Sequence, residues 1–426
     1  MATTDTDLII AGGGLAGATL ALALSRAVPD LRVTVVESFP LSPDAVPDDY
    51  QPSYDSRSTA LAWGSRLIFE ELGLWQRLSE HATPIQHIHV SDRGRFGATR
   101  LDAESHGQPA LGYVADNRWM GLCLMRELLD TGVQWQAPGE VVDMTPIAGG
   151  VDVAIKQNSE VRSLTAQCLV VADGGRSGLR ETLGFQTRQQ AYGQNALIAN
   201  VSTSDSHRFT AYERFTDAGP MALLPHGSAS RAGSQSALVW TLTDQDLEQV
   251  LSLSDPEKCR RLQDRFGWRL GRFTHIGQCN HYPLTLTTVD EPVRAGVALV
   301  GNAAHALHPV AGQGFNLALR GLMTLVEQFR VAHASGQSIG DLSVLRRYQE
   351  LHRQDWQQTV QFSDSLIRVF GDSSVPVLAA RDAGLVGLDL LPGAKRWFAR
   401  KAMGTGGRRA VIHSPGSASR EQMEHE

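Results

Sequence analysis

The chain has no basic tract interleaved with aromatic residues, and its formal net charge is −6. Non-specific nucleic-acid binding needs a concentrated positive surface to neutralise phosphates, so nucleic acid is excluded as a partner. No uninterrupted apolar run of about 20 residues occurs, which excludes a bilayer-spanning helix and leaves contact with a membrane surface open. The four cysteines, Cys123, Cys168, Cys259 and Cys279, are far apart, with no C-x-x-C pair and no metal spacing with His. Reduced, buried thiols are expected of them. The N-terminal stretch carries Asp5 and Asp7 and no basic residue, unlike a secretory signal, so a cytoplasmic location is expected. Neither a Ser-His-Asp set nor a pair of catalytic carboxylates stands out.

What is present is globular in character: 42% hydrophobic and 20% charged residues, with 41 Gly and 18 Pro spread along the chain. A chain of 426 residues exceeds the size of one ordinary core, so two connected domains are expected.

Leu8 to Ala11 is a short apolar run ending in glycines, as in a buried parallel strand, and Leu15 to Ser25 is an Ala- and Leu-rich helix. Val33 to Val36 forms the next strand and stops at Glu37, completing a βαβ unit. Pro40 to Tyr54 is loop by its Pro, Asp and Ser content. Ser65 to Leu78 has a helical pattern, and Ile85 to Val90 alternates like a half-buried strand. Gln167 to Val171 is a strand running into Asp173-Gly174-Gly175. From about 195 to 285 short strands dominate, among them Ala196–Val201, Phe209–Phe215, Met221–Leu224 and Ala237–Leu242. Val297 to Val300 returns to the parallel pattern, Gly314 to Ala334 is helical, and a helical face continues after Leu342.

The sequence Gly12-x-Gly14-x-x-Gly17 lies between the first strand and helix. Gly12 permits the tight turn, Gly14 lets a pyrophosphate approach the backbone, and Gly17 allows helix and strand to pack closely. The helix N-terminus then offers unpaired N–H groups and a positive dipole end to the phosphates. Glu37 follows Gly17 by 20 residues, the offset of an acid that binds ribose hydroxyls. The motif alone does not separate FAD from NAD.

Two later segments do so by resemblance. The stretch from Cys168 to Arg180, with Asp173 and Gly174 at its centre, resembles the Asp-Gly motif of the flavoprotein aromatic hydroxylases of the 4-hydroxybenzoate hydroxylase type. Gly301-Asn302-Ala303-Ala304-His305, followed by Pro309, resembles that class's second FAD motif, in which an acid holds hydroxyls of the flavin chain. Asn302 replaces the acid here, keeping an acceptor and losing the charge.

Pro309-Val-Ala-Gly312-Gln313-Gly314-Phe315-Asn316-Leu317 narrows the match. It is similar to the signature of the ring hydroxylases of ubiquinone biosynthesis, where a glycine-rich turn opens a helix beside the isoalloxazine. Asp55-x-Arg57-x-Thr59 resembles a further segment of that family, where the Arg lies by the flavin. Tyr212-Glu213-Arg214-Phe215 and Leu223-Leu224-Pro225 resemble the substrate-side sheet of the 2-octaprenyl-6-methoxyphenol hydroxylases. The resemblance runs from about residue 5 to about 405. The family helix continues with an Asp where this chain has Gly321.

By this resemblance the fold is α/β: a Rossmann-like FAD-binding domain (1–80, 100–185, 285–340), an interleaved β-sheet substrate domain (81–99, 186–284), a C-terminal helical region (341–405) and a tail (406–426). Gly12, Gly14, Gly17, Glu37, Arg57, Asp173, Gly174, Gly301, Asn302, Gly312, Gly314 and Asn316 are expected to bind the cofactor, with Pro309, Gly312, Gln313 and Gly314 forming the turn nearest the flavin. No protein nucleophile is implied. The resemblance implies a reaction in which NAD(P)H reduces FAD, dioxygen adds, and a flavin C4a-hydroperoxide hydroxylates a polyprenylphenol. The tail requires an apolar tunnel, and contact with the inner membrane or a biosynthetic protein complex is expected. A soluble phenol as substrate, a reductase, and a non-catalytic flavin-binding scaffold remain alternatives.

Individually, several residues have plainer readings. His305 and His308 have a metal-like spacing without a third ligand, so no metal is expected. Tyr212, Glu213 and Arg214 have the pattern of a strand with alternating exposed charges.

Overall fold

In a computed structural model the described residues are 4–40, 57–175, 177–217, 219–227, 233–307, 312–371 and 375–412. Asp55, His308 and Pro309, together with most of the segment from Pro40 to Tyr54, lie outside them.

The short apolar runs assemble as one sheet. Leu8–Ala11 pairs in parallel with Val33–Val36 on one side and Cys168–Val171 on the other. Gln134–Gln136 extends one edge, and Val297–Leu299 then Val293–Arg294 the other. The strands Leu8–Ala11, Val33–Val36, Cys168–Val171 and Val297–Leu299 are buried on both faces because both are covered. On one face Leu8 and Ile10 pack with the helices Leu15–Ala27, Asn117–Leu129 and Gln313–Ala334. On the other, Ile9, Ala11 and Val171 meet Val151, Val153 and Ile155 of the antiparallel meander Glu140–Ile147, Gly150–Gln157 and Glu160–Ala166.

The middle of the chain forms a nine-stranded sheet centred on Thr187–Thr203, Gln235–Thr243, Gly219–His226 and Thr210–Thr216, joined in parallel by His87–Asp92. Its alternation is clean. Leu197, Met221, Leu223, Leu238 and Trp240 are buried against the helices Asp244–Ser252 and Asp255–Phe266. Ile198, Ala222, Leu224 and Val239, one residue out of phase, line a cavity on the opposite face.

Local details depart from the sequence pattern. The helix expected from Ser65 to Leu78 is two, Trp63–Glu71 and Trp75–Leu78, because Gly73 turns with φ of 60° between them. The strand expected from Ile85 to Val90 is split. Thr83–Ile85 joins Ser58–Ala62 and Gly112–Asp116 in a small sheet, and His87–Asp92 enters the large one. Among the described residues the C-terminal region holds three helices, Leu342–Gly371, Val375–Leu390 and Pro392–Ala402. Residues 406–412, expected as tail, are instead tied down: Arg408 pairs with Glu327, Arg409 with Glu71 at 2.9 Å, and Ile412 is buried.

Candidate cofactor and substrate cavity

At Gly12, φ is 101°, and a Cβ there would lie 2.9 Å from the carbonyl oxygen of Ala172. The glycine is therefore required twice, by the turn and by the close approach of the Asp173 segment. A Cβ on Gly17 would fall 1.9 Å from the Gly12 carbonyl oxygen, so Gly17 serves the packing of helix on loop. Gly14 differs, since a Cβ there would meet nothing within 4 Å. Its space belongs to a cavity of about 850 Å³ that Gly12, Gly14 and Glu37 line at one end.

Glu37 is buried at the end of the second strand, where its Oε2 accepts the Gly13 N–H at 2.7 Å and its Oε1 the Phe39 N–H at 3.1 Å. Asp173 holds its own turn, accepting the Gly175 N–H at 2.8 Å and the Ser177 hydroxyl. Arg57 lines the same cavity with its guanidinium 4.7 Å from the Tyr282 ring centre.

Gly301 and Asn302 follow the strand Val297–Leu299 and line the cavity beside Asp173 and Gly174. Gly312, at φ of 60°, caps the helix Gln313–Ala334 and leans on Ala60. Asn316 braces this turn. Its Oδ1 accepts from the Ala62 N–H (2.8 Å) and the Ser65 hydroxyl (2.6 Å), while its Nδ2 donates to the carbonyls of Ala60 (2.8 Å) and Gly312 (2.7 Å). All four hydrogen-bonding positions of the amide are thereby used, so the side chain shapes the cavity wall.

Of the expected site residues, Gly12, Gly14, Glu37, Arg57, Asp173, Gly174, Gly301, Asn302, Gly312, Gln313, Gly314 and Asn316 line this one cavity. Gly17 does not, and Pro309 lies outside the described residues.

The cavity fits a flavin dinucleotide. The helices Leu15–Ala27 and Gln313–Ala334 both begin on it, each behind a glycine with no side-chain cap and no acid in the first turn. Two uncapped N-termini supply N–H groups and positive dipole ends for an anionic cofactor in a chain of net charge −6.

Away from the glycines the wall turns apolar. Ile88, Val90, Ala211, Phe215 and Leu224 of the large sheet face Phe362, Leu366, Leu385, Leu388 and Phe398 of the C-terminal helices. Glu213 interrupts this wall. It stands between Ala211 and Phe215 on one strand, in register with Val90 and Ala222 on the neighbouring two, and all of these line the cavity. The residue expected to be an exposed strand charge is therefore an inward carboxyl. Burial, with no compensating charge, pushes it up to about 8. The period-2 pattern carried this signal: Glu213 shares a face with Ala211 and Phe215, and what was missing was knowledge of what covers that face.

His305 is buried against His352, their ring centres 5.8 Å apart. Burial pushes His305 down to about 3 and His352 to about 4. The His352 ring also fills the space beside Gly321, where a Cβ would lie 2.7 Å from Nε2. An Asp at position 321, as in the resembling family, would collide with that ring. No group of three His, Cys, Asp or Glu among the described residues could hold a metal ion. All four cysteines are free.

A family model described as FAD binding domain matches residues 5–363. Ubiquinone hydroxylase UbiL of Rhodospirillum rubrum is 34% identical over 94% of this chain and 90% of that protein. The 3-demethoxyubiquinol 3-hydroxylase of Escherichia coli is 26% identical over 95% of this chain and 100% of its own. Among solved structures, p-nitrophenol 4-monooxygenase PnpA from Pseudomonas putida superposes with a TM-score of 0.75 at 19% identity, covering 96% of this chain and 100% of that one.

Proposed function

The chain belongs to the FAD binding domain family and, within it, to the ubiquinone hydroxylases, and from that membership we propose that it hydroxylates the aromatic ring of a polyprenylphenol intermediate in ubiquinone biosynthesis. It is an FAD-dependent aromatic-ring monooxygenase that uses NAD(P)H and dioxygen. The observation that carries the finer reading is the single cavity running from the glycine turns at Gly12 and Gly312 to an apolar chamber between the large sheet and the C-terminal helices.

The residues that would hold FAD are among those that line this cavity. Gly12 and Gly14 would leave room for the pyrophosphate at the start of the first helix, and Glu37 would take ribose hydroxyls. Asp173, Gly174, Gly301 and Asn302 would hold the flavin chain, and Arg57, Gly312, Gln313 and Gly314 would hold the ring. The chemistry FAD supplies when bound is the transfer of electrons from NAD(P)H to dioxygen and of one oxygen atom to the substrate. The division into an FAD-binding part, a β-rich substrate part and a helical cover belongs to the same proposal.

The chain's own contribution is orientation, exclusion of water and one proton. Phe215, Leu385 and Phe398 line an apolar surround for the ring and for the start of a tail. Attack on a phenol is eased as its hydroxyl proton leaves, and Glu213 is the carboxyl that receives it at Oε. A carboxyl held near 8 is matched to moving a proton near neutral pH.

Deletion of the gene followed by mass spectrometry of the quinone pool tests this reading. A prenylated precursor lacking one ring hydroxyl should accumulate and name the position. An unchanged pool would reject it in favour of a soluble phenol.

A further inference from the structure

Reduction of dioxygen sets a demand that Glu213 does not meet. Hydroxylation of a ring by NAD(P)H and dioxygen takes up one proton from solvent and releases NAD(P)+, water and the hydroxylated ring. The proton that Glu213 accepts from the phenol is returned when the hydroxylated ring is restored to a phenol, so it is not the one consumed. Much of the chamber is walled by apolar side chains that exclude water. The consumed proton needs a route through that wall.

Ser58 lines the cavity, next to Arg57. It opens the strand Ser58–Ala62, in register with Asp116 at the end of Gly112–Asp116, and its hydroxyl donates to Asp116 Oδ1 at 2.5 Å. His226 ends the strand Gly219–His226 and brings Nε2 to 2.9 Å from the same oxygen. Its Nδ1 is buried without a hydrogen-bond partner, so Nε2 carries the hydrogen and donates it to Asp116. Burial pushes the Asp116 carboxyl up, but the hydrogen bonds from His226 and Ser58 more than offset this and hold it below its ordinary value, ionised at neutral pH. Ser58 lines the cavity, whereas Asp116 and His226 stand behind its wall. The Asp116 side chain is 44% exposed, which puts the outer end of the row in reach of water.

We infer that Ser58 and Asp116 form the route by which the consumed proton enters the chamber, with His226 as the residue that positions the carboxylate. Asp116 takes a proton from water and gives it to Ser58 Oγ, while Ser58 passes its own hydrogen to the acceptor in the cavity. Each group ends the cycle as it began. A brace between two strands would need the same hydrogen bonds but no opening at both ends, and this row meets the cavity at Ser58 and solvent at Asp116.

The test is proton uptake by the FAD-loaded full chain on mixing with NAD(P)H and dioxygen, followed with a pH-indicator dye beside NAD(P)H absorbance. Asp116→Asn and Ser58→Ala should each slow uptake and turnover by roughly 100-fold. The double variant should be no slower than either, because the two groups act in series. Ser58→Thr keeps the hydroxyl and should stay near wild type, and formate should partly restore Asp116→Ala. FAD content and melting temperature should match the wild type throughout.

Wild-type uptake in Asp116→Asn or Ser58→Ala would overturn the assignment. So would slowing that comes with lost FAD or a lowered melting temperature, adds up in the double variant and resists formate, since those residues would then only brace the strands. The inference rests on the monooxygenase reading and not on the tailed phenol, because reduction of dioxygen to hydrogen peroxide by NAD(P)H also takes up one proton. Uptake slowed in the variants, with no phenol hydroxylated by the wild type, would keep the route and reject the substrate reading alone.

Discussion

The Gly13 main-chain N–H donates to Oε2 of Glu37 at 2.7 Å, tying the first glycine turn to the end of the second strand. The two halves of the expected nucleotide site thus hold one another before any ligand arrives. Within this turn the glycines separate into those that build the fold and one that leaves space. Gly14→Val should give a folded protein without flavin, because the added side chain enters open cavity. Gly17→Ala should be destabilised by about 1–3 kcal/mol, because its Cβ is driven at the Gly12 carbonyl. Flavin absorbance and urea denaturation separate the two. A yellow Gly14→Val protein would contradict the assignment of the cavity.

Glu213 makes a kinetic prediction. In the wild type kcat/KM should rise with pH through about 8 as the carboxyl ionises. Glu213→Gln should flatten that limb and lower kcat by roughly 10²–10⁴-fold with FAD content unchanged. A variant with an unaltered pH profile would leave Glu213 as a wall residue only.

Glu213 and the buried histidines His89, His305 and His352 predict opposing effects on stability. Glu213 is protonated in the folded chain up to about 8 and in the unfolded chain only below about 4.5. Its protonated form therefore favours folding fully at low pH, and that contribution is lost as pH rises through 8. His89, His305 and His352 are pushed down to about 4, 3 and 4. They are neutral when folded, so their contribution is present above their ordinary value of 6.5 and is lost as pH falls toward 4. Thermal denaturation should show Glu213→Gln gaining on the wild type at pH 9 relative to pH 6. It should also show His352→Phe with a shallower loss between pH 6.5 and 4. Parallel curves would refute the burial of these groups.

The βαβ unit and the three glycine segments were legible because each is local: a strand of four apolar residues, a turn that only glycine allows, a helix. The helices Asp244–Ser252 and Asp255–Phe266 lie inside a run of strands, although their starts are written in the sequence. Thr243 caps the first, and Ser254 with Glu257 forms a capping box for the second, with Pro256 in its first turn. Asn316 was legible as a site residue but not as a brace, because its partners Ala60, Ala62 and Ser65 lie some 250 positions away. Glu213 was hidden for the same reason, since the helices that close its chamber come last in the chain.

Asn302 offers a milder test. It lines the cavity and is exposed, so the acid usual in the resembling family should fit there without a clash. Asn302→Asp should retain FAD at near wild-type occupancy by absorbance. Loss of the cofactor would remove Asn302 from the flavin-binding set.

The most direct measurement is turnover of the FAD-loaded chain with NAD(P)H, a prenylated phenol and isotopically labelled dioxygen, followed by mass spectrometry of the product. The account predicts one labelled oxygen on the aromatic ring, with NAD(P)H oxidation stimulated by the tailed phenol above its tail-less counterpart. NAD(P)H consumed with the label appearing only in hydrogen peroxide or water, whatever phenol is supplied, would contradict it.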